Sequence, residues 1–210
     1  MIDLKTELEN VMNGVVWNFV GILDTNKKLH PIPKNIQIQA IFEYMGRERI
    51  KKWAEKNNIT VIESTNTREY PDLTLQEGPL GREIIAVYIK TGRRDGDRTG
   101  FTLGSYWGYF RHPTEKKGGC RLPYGDFTHH WIVGFIYDWD NDADTLHMIS
   151  NIDLVVQEKW KIASKTTGTG TTTAMASINR IDDLKKGNGA FKSEREFLNY
   201  WRAYKARAPK

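Results

Sequence analysis

The chain has 210 residues, 39% of them hydrophobic and 27% charged, and 31 Lys and Arg against 26 Asp and Glu leave a formal net charge of +5. That apolar share excludes wholesale disorder, no stretch has the long apolar run of a membrane helix, and Met1-Ile2-Asp3-Leu4-Lys5 lacks the charged-then-apolar order of a secretory signal. A single cysteine, Cys120, excludes an internal disulfide and a cysteine-based zinc site, so the expectation is a cytoplasmic single-core protein, without membrane contact, whose mild basicity is compatible with nucleic acid.

Residues 3–13 read as an opening helix. Val15 to Leu23 is an apolar, β-branched run and predicts a strand. The turn Asp24-Thr25-Asn26-Lys27-Lys28 follows, and Leu29 to Ile32 return as a second strand. From Asn35 to about Lys56 the spacing of Ile38, Ile41, Phe42, Met45, Ile50, Trp53 and Ala54 predicts a helix. Ile59 to Glu63 and Tyr70 to Leu75 predict strands, the second entered through Pro71. The turn Glu77-Gly78-Pro79-Leu80-Gly81 leads into the strand Ile84 to Lys90, so the two strands around it make a hairpin.

Thr91 to Gly100 is a charged loop, and Phe101 to Phe110 is aromatic and glycine-rich. Trp131 to Tyr137 is nearly all apolar and predicts a strand covered on both faces. Asp138 to Asp144 is an acidic loop, and Trp160 to Ala163 reads as a short strand entering the low-complexity segment Ser164 to Thr173. Ser193 with Glu196 forms a capping box, opening a last helix with Phe197, Leu198, Trp201 and Tyr204 on one face. Strands and helices mix without a regular βαβ repeat, which predicts an α+β fold.

The hairpin carries the chemistry. Residues i and i+2 of a strand share a face, so position 88 and Lys90 point the same way, and Asp72 faces them from the partner strand. Carboxylates beside a lysine suit Mg²⁺ and a phosphate. The acids hold a hard, oxygen-seeking cation, and the lysine offers positive charge to an anionic transition state or orients the attacking water. This is the logic of the PD…(D/E)xK nucleases. As a bare pattern it is short and common, and here the second carboxylate position holds Tyr88.

Along nearly its whole length the sequence resembles the EcoRV-type restriction endonucleases. Seven colinear segments carry the resemblance: Ile41 to Glu43, Tyr70 to Leu75, Ile85 to Thr91, Phe101 to Gly104, His130 to Gly134, Gly168 through Ile178, and Ser193 to Arg202. The resemblance implies a restriction-endonuclease-like fold, a central mixed β-sheet flanked by helices, forming one domain over residues 1–210 with dimer-forming strands at roughly 15–32. It implies a homodimer that clamps double-stranded DNA and, with Mg²⁺ or with Mn²⁺ in its place, cuts a short palindrome to leave blunt ends and 5′-phosphates. A cognate DNA methyltransferase would belong to the same restriction-modification system. Asp72 matches the first metal-binding aspartate, Lys90 the catalytic lysine, and Glu43 an auxiliary glutamate. The Ile89 backbone carbonyl is a further metal ligand in this reading.

Two departures from the family stand out. Tyr88 replaces the second metal-binding aspartate, and a phenol, with an ordinary pKa of about 10, stays neutral at pH 7. The chain is then a silenced nuclease that still binds DNA, or another carboxylate has taken over (Glu43 first, Asp95 and Asp97 behind it), or cleavage persists slowly. The second departure lies in the base-reading loop, Gly168, Thr169, Gly170, Thr171, Thr172 and Thr173. Its glycines suit a backbone that approaches base edges closely, but Thr171 replaces an asparagine that would pair bidentately with adenine, a contact worth about 1–3 kcal/mol of discrimination. The smaller DNA-flanking loop, Asn66, Thr67 and Arg68, has Thr67 in place of a glutamine, so the family's palindrome does not carry over unchanged.

The remaining candidates are weighed against plainer roles. His129 and His130 read as structural. Cys120 has no evident activating base. Arg93, Arg94 and Arg98, Lys116 and Lys117, and the tail residues Arg202, Lys205, Arg207 and Lys210 are candidates for phosphate contacts or simply solvated charge.

Overall fold

The computed structural model describes residues 2–33, 38–113, 115, 119–168 and 173–205. Helix α1, Leu4–Met12, starts where the Asp3 carboxylate accepts from the Thr6 N–H, and it buries Leu4, Leu8 and Met12 at four-residue spacing. Strands β1, Ile22–Leu23, and β2, Leu29–His30, form an isolated two-stranded hairpin. The strand predicted from Val15 to Leu23 therefore shrinks to its last two residues. Upstream of it Trp17 turns into the core, and its indole N–H donates to the Thr145 carbonyl at 2.7 Å.

Helix α2, Ile38–Lys56, buries Ile38, Phe42, Gly46, Ile50 and Ala54 along one stripe. A β-carbon on Gly46 would come within 3.0 Å of the end of the Ile89 side chain. The missing side chain thus lets the helix lie close to the sheet between Glu43 and Arg47. Phe42 stacks on Phe135 and Tyr137, with ring centroids 5.1 and 5.3 Å away.

The main sheet follows: β3, Thr60–Glu63; β4, Leu73–Gln76; and β5, Ile84–Arg93. Strand β6, Thr102–Ser105, and the short helix α3, Tyr106–Phe110, take up the aromatic segment. Strands β7, His129–Trp139, and β8, Ile149–Glu158, complete the sheet in the order β3-β4-β5-β7-β8, all neighbours antiparallel except β5 with β7. Interior strand β7 is buried from His130 to Tyr137, as its unbroken apolar sequence predicts. Beyond it the segment predicted as a strand from Trp160 is first a helical turn, α4, Lys159–Ile162, and only then strand β9, Ala163–Thr167. Strand β10, Ala174–Ser177, lies between β6 and β9 in a second, three-stranded sheet. Helix α5, Ile181–Lys186, and α6, Glu194–Ala203, close the described chain. Ser193 caps α6 through the Glu196 N–H at 3.2 Å, while the Glu196 carboxylate reaches back to the Lys192 N–H at 2.9 Å.

The sheet separates two cores. Leu73, Val87, Ile89, Val133 and Phe135 pack toward α1 and α2. Ala86, Ile132 and Ile136 pack toward an aromatic cluster that includes Tyr70, Tyr106, Tyr124, Phe197 and Trp201. Among the described residues no helix is long and apolar enough to cross a membrane.

Candidate active site

Strands β3 and β4 pair from Thr60↔Gln76 to Glu63↔Leu73 and part after a last backbone bond, from the Ser64 N–H to the Asp72 carbonyl at 3.0 Å. On the other side of β4, pairing with β5 ends at Leu73↔Val87. Beyond that point the Asp72 carboxylate, rather than β4 backbone, meets β5, accepting the Ile89 N–H at 2.6 Å. Asp72 is thereby fixed at the fork, 5% exposed, after a cis Tyr70-Pro71 peptide bond.

Two groups of side chains meet at this fork. From α2, Glu43 enters on the Asp72 side, hydrogen-bonded to the guanidinium of Arg47 one turn later. Arg47 also donates to the Ser64 hydroxyl at 2.8 Å and lies 3.8 Å from both Asp72 and Glu63. From β5, Tyr88 and Lys90 project together, as their spacing predicts. Lys90, 7% exposed, places its ammonium 3.4 Å from the centre of the Tyr88 ring. The tyrosine supplies a π face to the lysine where the family pattern has a carboxylate.

Beneath Tyr88 lies a buried polar network. Lys159, 1% exposed, donates to the Tyr70 hydroxyl at 2.7 Å. That hydroxyl lies 2.7 Å from Nδ1 of His130, whose ring stacks on Tyr124 at 3.7 Å between centroids. Burial holds Lys159 well below the ordinary lysine value, and the nearby Lys90 pushes the same way. Burial and then Lys159 hold His130 well below the usual imidazole range. The histidine pair is thus structural at position 130. Burial pushes the Cys120 thiol up to about 11, which disfavours the thiolate a nucleophile needs.

Burial also raises Asp72 to about 7 from 3.8, with Glu43 adding to the rise and Lys90 and Arg47 opposing it. The folded chain therefore keeps this proton through the interval where the unfolded chain releases it. Its contribution to stability is complete below about 3.8 and is lost as pH rises through about 7. In metal-free buffer, thermal melts of Asp72→Asn are expected to lack this fall between pH 4 and 7, and an unchanged profile would show that another group is responsible.

Negatively charged oxygen donors suit a hard divalent cation, and the guanidinium lodged among Glu43, Glu63 and Asp72 marks the place as one that accepts positive charge. Among the described residues no three carboxylate, imidazole or thiol side chains converge into a finished metal cage. Asp72 and Glu43 are the residues that fit such an ion. The other carboxylates considered do not join them: Asp97 lines a separate cleft with Arg94, Asp153 and Arg180, and the Asp95 backbone pairs with that of Arg98 in the turn beyond β5.

The expected DNA-reading segments lie elsewhere. Thr65, Asn66, Thr67 and Arg68 are exposed between β3 and Asp72, with the Asn66 side chain accepting the Arg68 N–H at 2.9 Å. At the larger loop, the Gly168 N–H donates to the Ala174 carbonyl at 2.8 Å, and the Thr173 carbonyl accepts from Tyr106 at 3.0 Å. Thr169, Gly170, Thr171 and Thr172 lie outside the described residues, as do Lys116, Lys117, Arg207 and Lys210. Arg93, Arg98, Arg202 and Lys205 are exposed. Arg94 is instead committed to Asp138 at 2.9 Å and Asp153 at 2.8 Å, so it is a fold-holding ion pair rather than a free phosphate contact. Sequence reading does not single out Arg47 or Lys159. Arg47 had a signal, its i,i+4 spacing from Glu43; Lys159 had none.

The chain resembles the NlaIV restriction endonuclease in fold, with a TM-score of 0.51 and 20% identity over 95% of this chain and 75% of that one. It is 30% identical to the type II restriction enzyme EcoRV of Escherichia coli over 97% of its own length and 89% of that protein's. The pattern of the restriction endonuclease EcoRV family matches residues 13–210. The chain belongs to the EcoRV family of type II restriction endonucleases.

Proposed function

We propose that the protein hydrolyses double-stranded DNA at a short palindromic site, with Mg²⁺ as cofactor and blunt 5′-phosphate ends as product. The observation that carries this reading is the fork itself, where buried Asp72 is fixed against Ile89, with Glu43 and Lys90 both close enough to act on its charge. A bound Mg²⁺ supplies charge stabilisation at the phosphoryl oxygens and a more acidic water. Asp72 and Glu43 are the side chains that hold it, with the Ile89 carbonyl as the backbone ligand. Lys90 places positive charge beside the reacting phosphate. The exposed loop at Asn66, Thr67 and Arg68 and the loop from Gly168 to Thr173 contact the duplex.

A homodimer belongs to the same reading. Ile22, Leu23 and Leu29 of the β1-β2 hairpin are exposed together with Val16 and Val20. Clustered apolar exposure of this kind suits a second copy of the chain. In cells, a cognate methyltransferase would protect the host's own copies of the site.

Tyr88 favours a second reading, a homologue that binds its site and no longer cuts it. Digestion of a mapped plasmid with Mg²⁺ and with Mn²⁺ separates the two. Discrete fragments with 5′-phosphates are expected. Specific binding without any cleavage would establish the second reading and overturn the first.

A further inference from the structure

Arg47 stands in an unusual place for an ordinary helix ion pair. Its side chain is only 17% exposed. One guanidinium nitrogen bonds both Glu43 and Ser64, while Asp72 and Glu63 lie 3.8 Å away, beyond hydrogen-bond length. Its Nε is buried without a hydrogen-bond partner among the described residues. A group packed for hydrogen bonding alone would not leave an N–H unsatisfied. What the position provides instead is opposite charge on three sides. Lys51 takes part of that charge, bonding Glu63 at 2.8 Å. Lys90 also acts on Asp72, from β5, while its ammonium lies over the Tyr88 ring. Among the described residues, Arg47 is the cation that hydrogen-bonds Glu43 while lying 3.8 Å from Asp72.

We infer that Arg47 is the resident counter-cation of this carboxylate cluster, that it occupies the ground a divalent metal would take, and that metal can engage Glu43 only as the Arg47–Glu43 bond opens. Arg47 is on this account a positioning residue that sets how tightly the site takes metal. In the free protein it holds two carboxylates together that would otherwise repel across a partly buried site. When metal arrives, the same positive charge competes with it. The inference rests on the proposal that Asp72 and Glu43 form the metal site.

The test is direct binding of Mn²⁺ to the DNA-free protein, followed by electron paramagnetic resonance of the unbound ion. Four proteins are compared: the unaltered chain, Arg47→Gln, Arg47→Lys and Asp72→Asn. Removing one positive charge a few ångströms from a partly buried site is expected to tighten Mn²⁺ binding about tenfold in Arg47→Gln. Arg47→Lys keeps a charge but on a stem that does not reproduce the planar fork, so its affinity should fall between the two. Asp72→Asn should lose the site. If Asp72→Asn abolishes binding while Arg47→Gln binds no tighter than the unaltered chain, the role given to Arg47 is wrong and the metal site stands. If Asp72→Asn binds as well as the unaltered chain, or if neither the unaltered chain nor Arg47→Gln binds, the metal-site reading fails and takes this inference with it. Should Arg47→Gln not fold, as judged by its melt, Arg47→Lys alone decides: tighter binding supports the inference and equal or weaker binding overturns it.

Discussion

Tyr88→Asp is expected to cleave plasmid DNA in Mg²⁺ about a hundredfold faster than the unaltered chain, the scale on which single charge-stabilising groups act. The substitution restores a carboxylate on the face where Lys90 already points, opposite the fixed carboxylate of Asp72. It also removes a ring that holds Lys90 through its π face and meets Tyr70 edge-on at 5.2 Å. The metal-free variant should therefore lose about 1–3 kcal/mol of stability from these contacts together. Added Mg²⁺ should return part of that loss, because a ligand bound only by the folded state stabilises it. First-order cleavage rates, with chemical denaturation with and without Mg²⁺, measure both effects. If the unaltered chain already cuts quickly and the aspartate adds nothing, Tyr88 is not the limiting defect.

Asp72→Asn should act in the opposite direction and more completely. The amide keeps the size of the side chain and can still accept from the Ile89 N–H, now held by the carboxylate at 2.6 Å. It lacks the charge that holds a hard cation. Cleavage should fall by about a thousandfold or more, comparable to the largest single-group losses at preorganised electrostatic sites. Binding to duplex DNA containing the site should persist, since phosphate and base contacts are assigned to other segments. Gel-shift titration beside the cleavage assay checks this. Loss of binding and cleavage together would place Asp72 in the fold rather than in the chemistry.

How far the sequence reveals this site depends on which forces act locally. The capping box at Ser193 and Glu196 is a contact across one helical turn, so it announces α6 directly. Strand β7 is legible because burial on both faces leaves an unbroken apolar run. Strand β8 is not legible, although Ile152, Leu154 and Val156 alternate toward one core, because Asn151 and Asp153 interrupt them and resemble a loop. The segment at Trp160 reads as a strand because one helical turn is too short to show a period. At the site, Asp72, Tyr88 and Lys90 emerge from a hairpin of known period. The Arg47 contact with Asp72 and the burial of Lys159 do not, since both depend on elements brought together only by the folded chain.

The rung at Gly168 and Ala174 has an evolutionary consequence. The loop it closes joins β9 and β10, in the three-stranded sheet, while Asp72, Tyr88 and Lys90 belong to the five-stranded one. If that loop reads the bases, as proposed, mutation can rewrite the target sequence without passing through the cutting machinery. A lineage under pressure from altered invaders could then explore new targets while its blade stays the same. The converse also holds: a change in the blade, such as a tyrosine at position 88 where the family has an aspartate, need not erase the memory of the target.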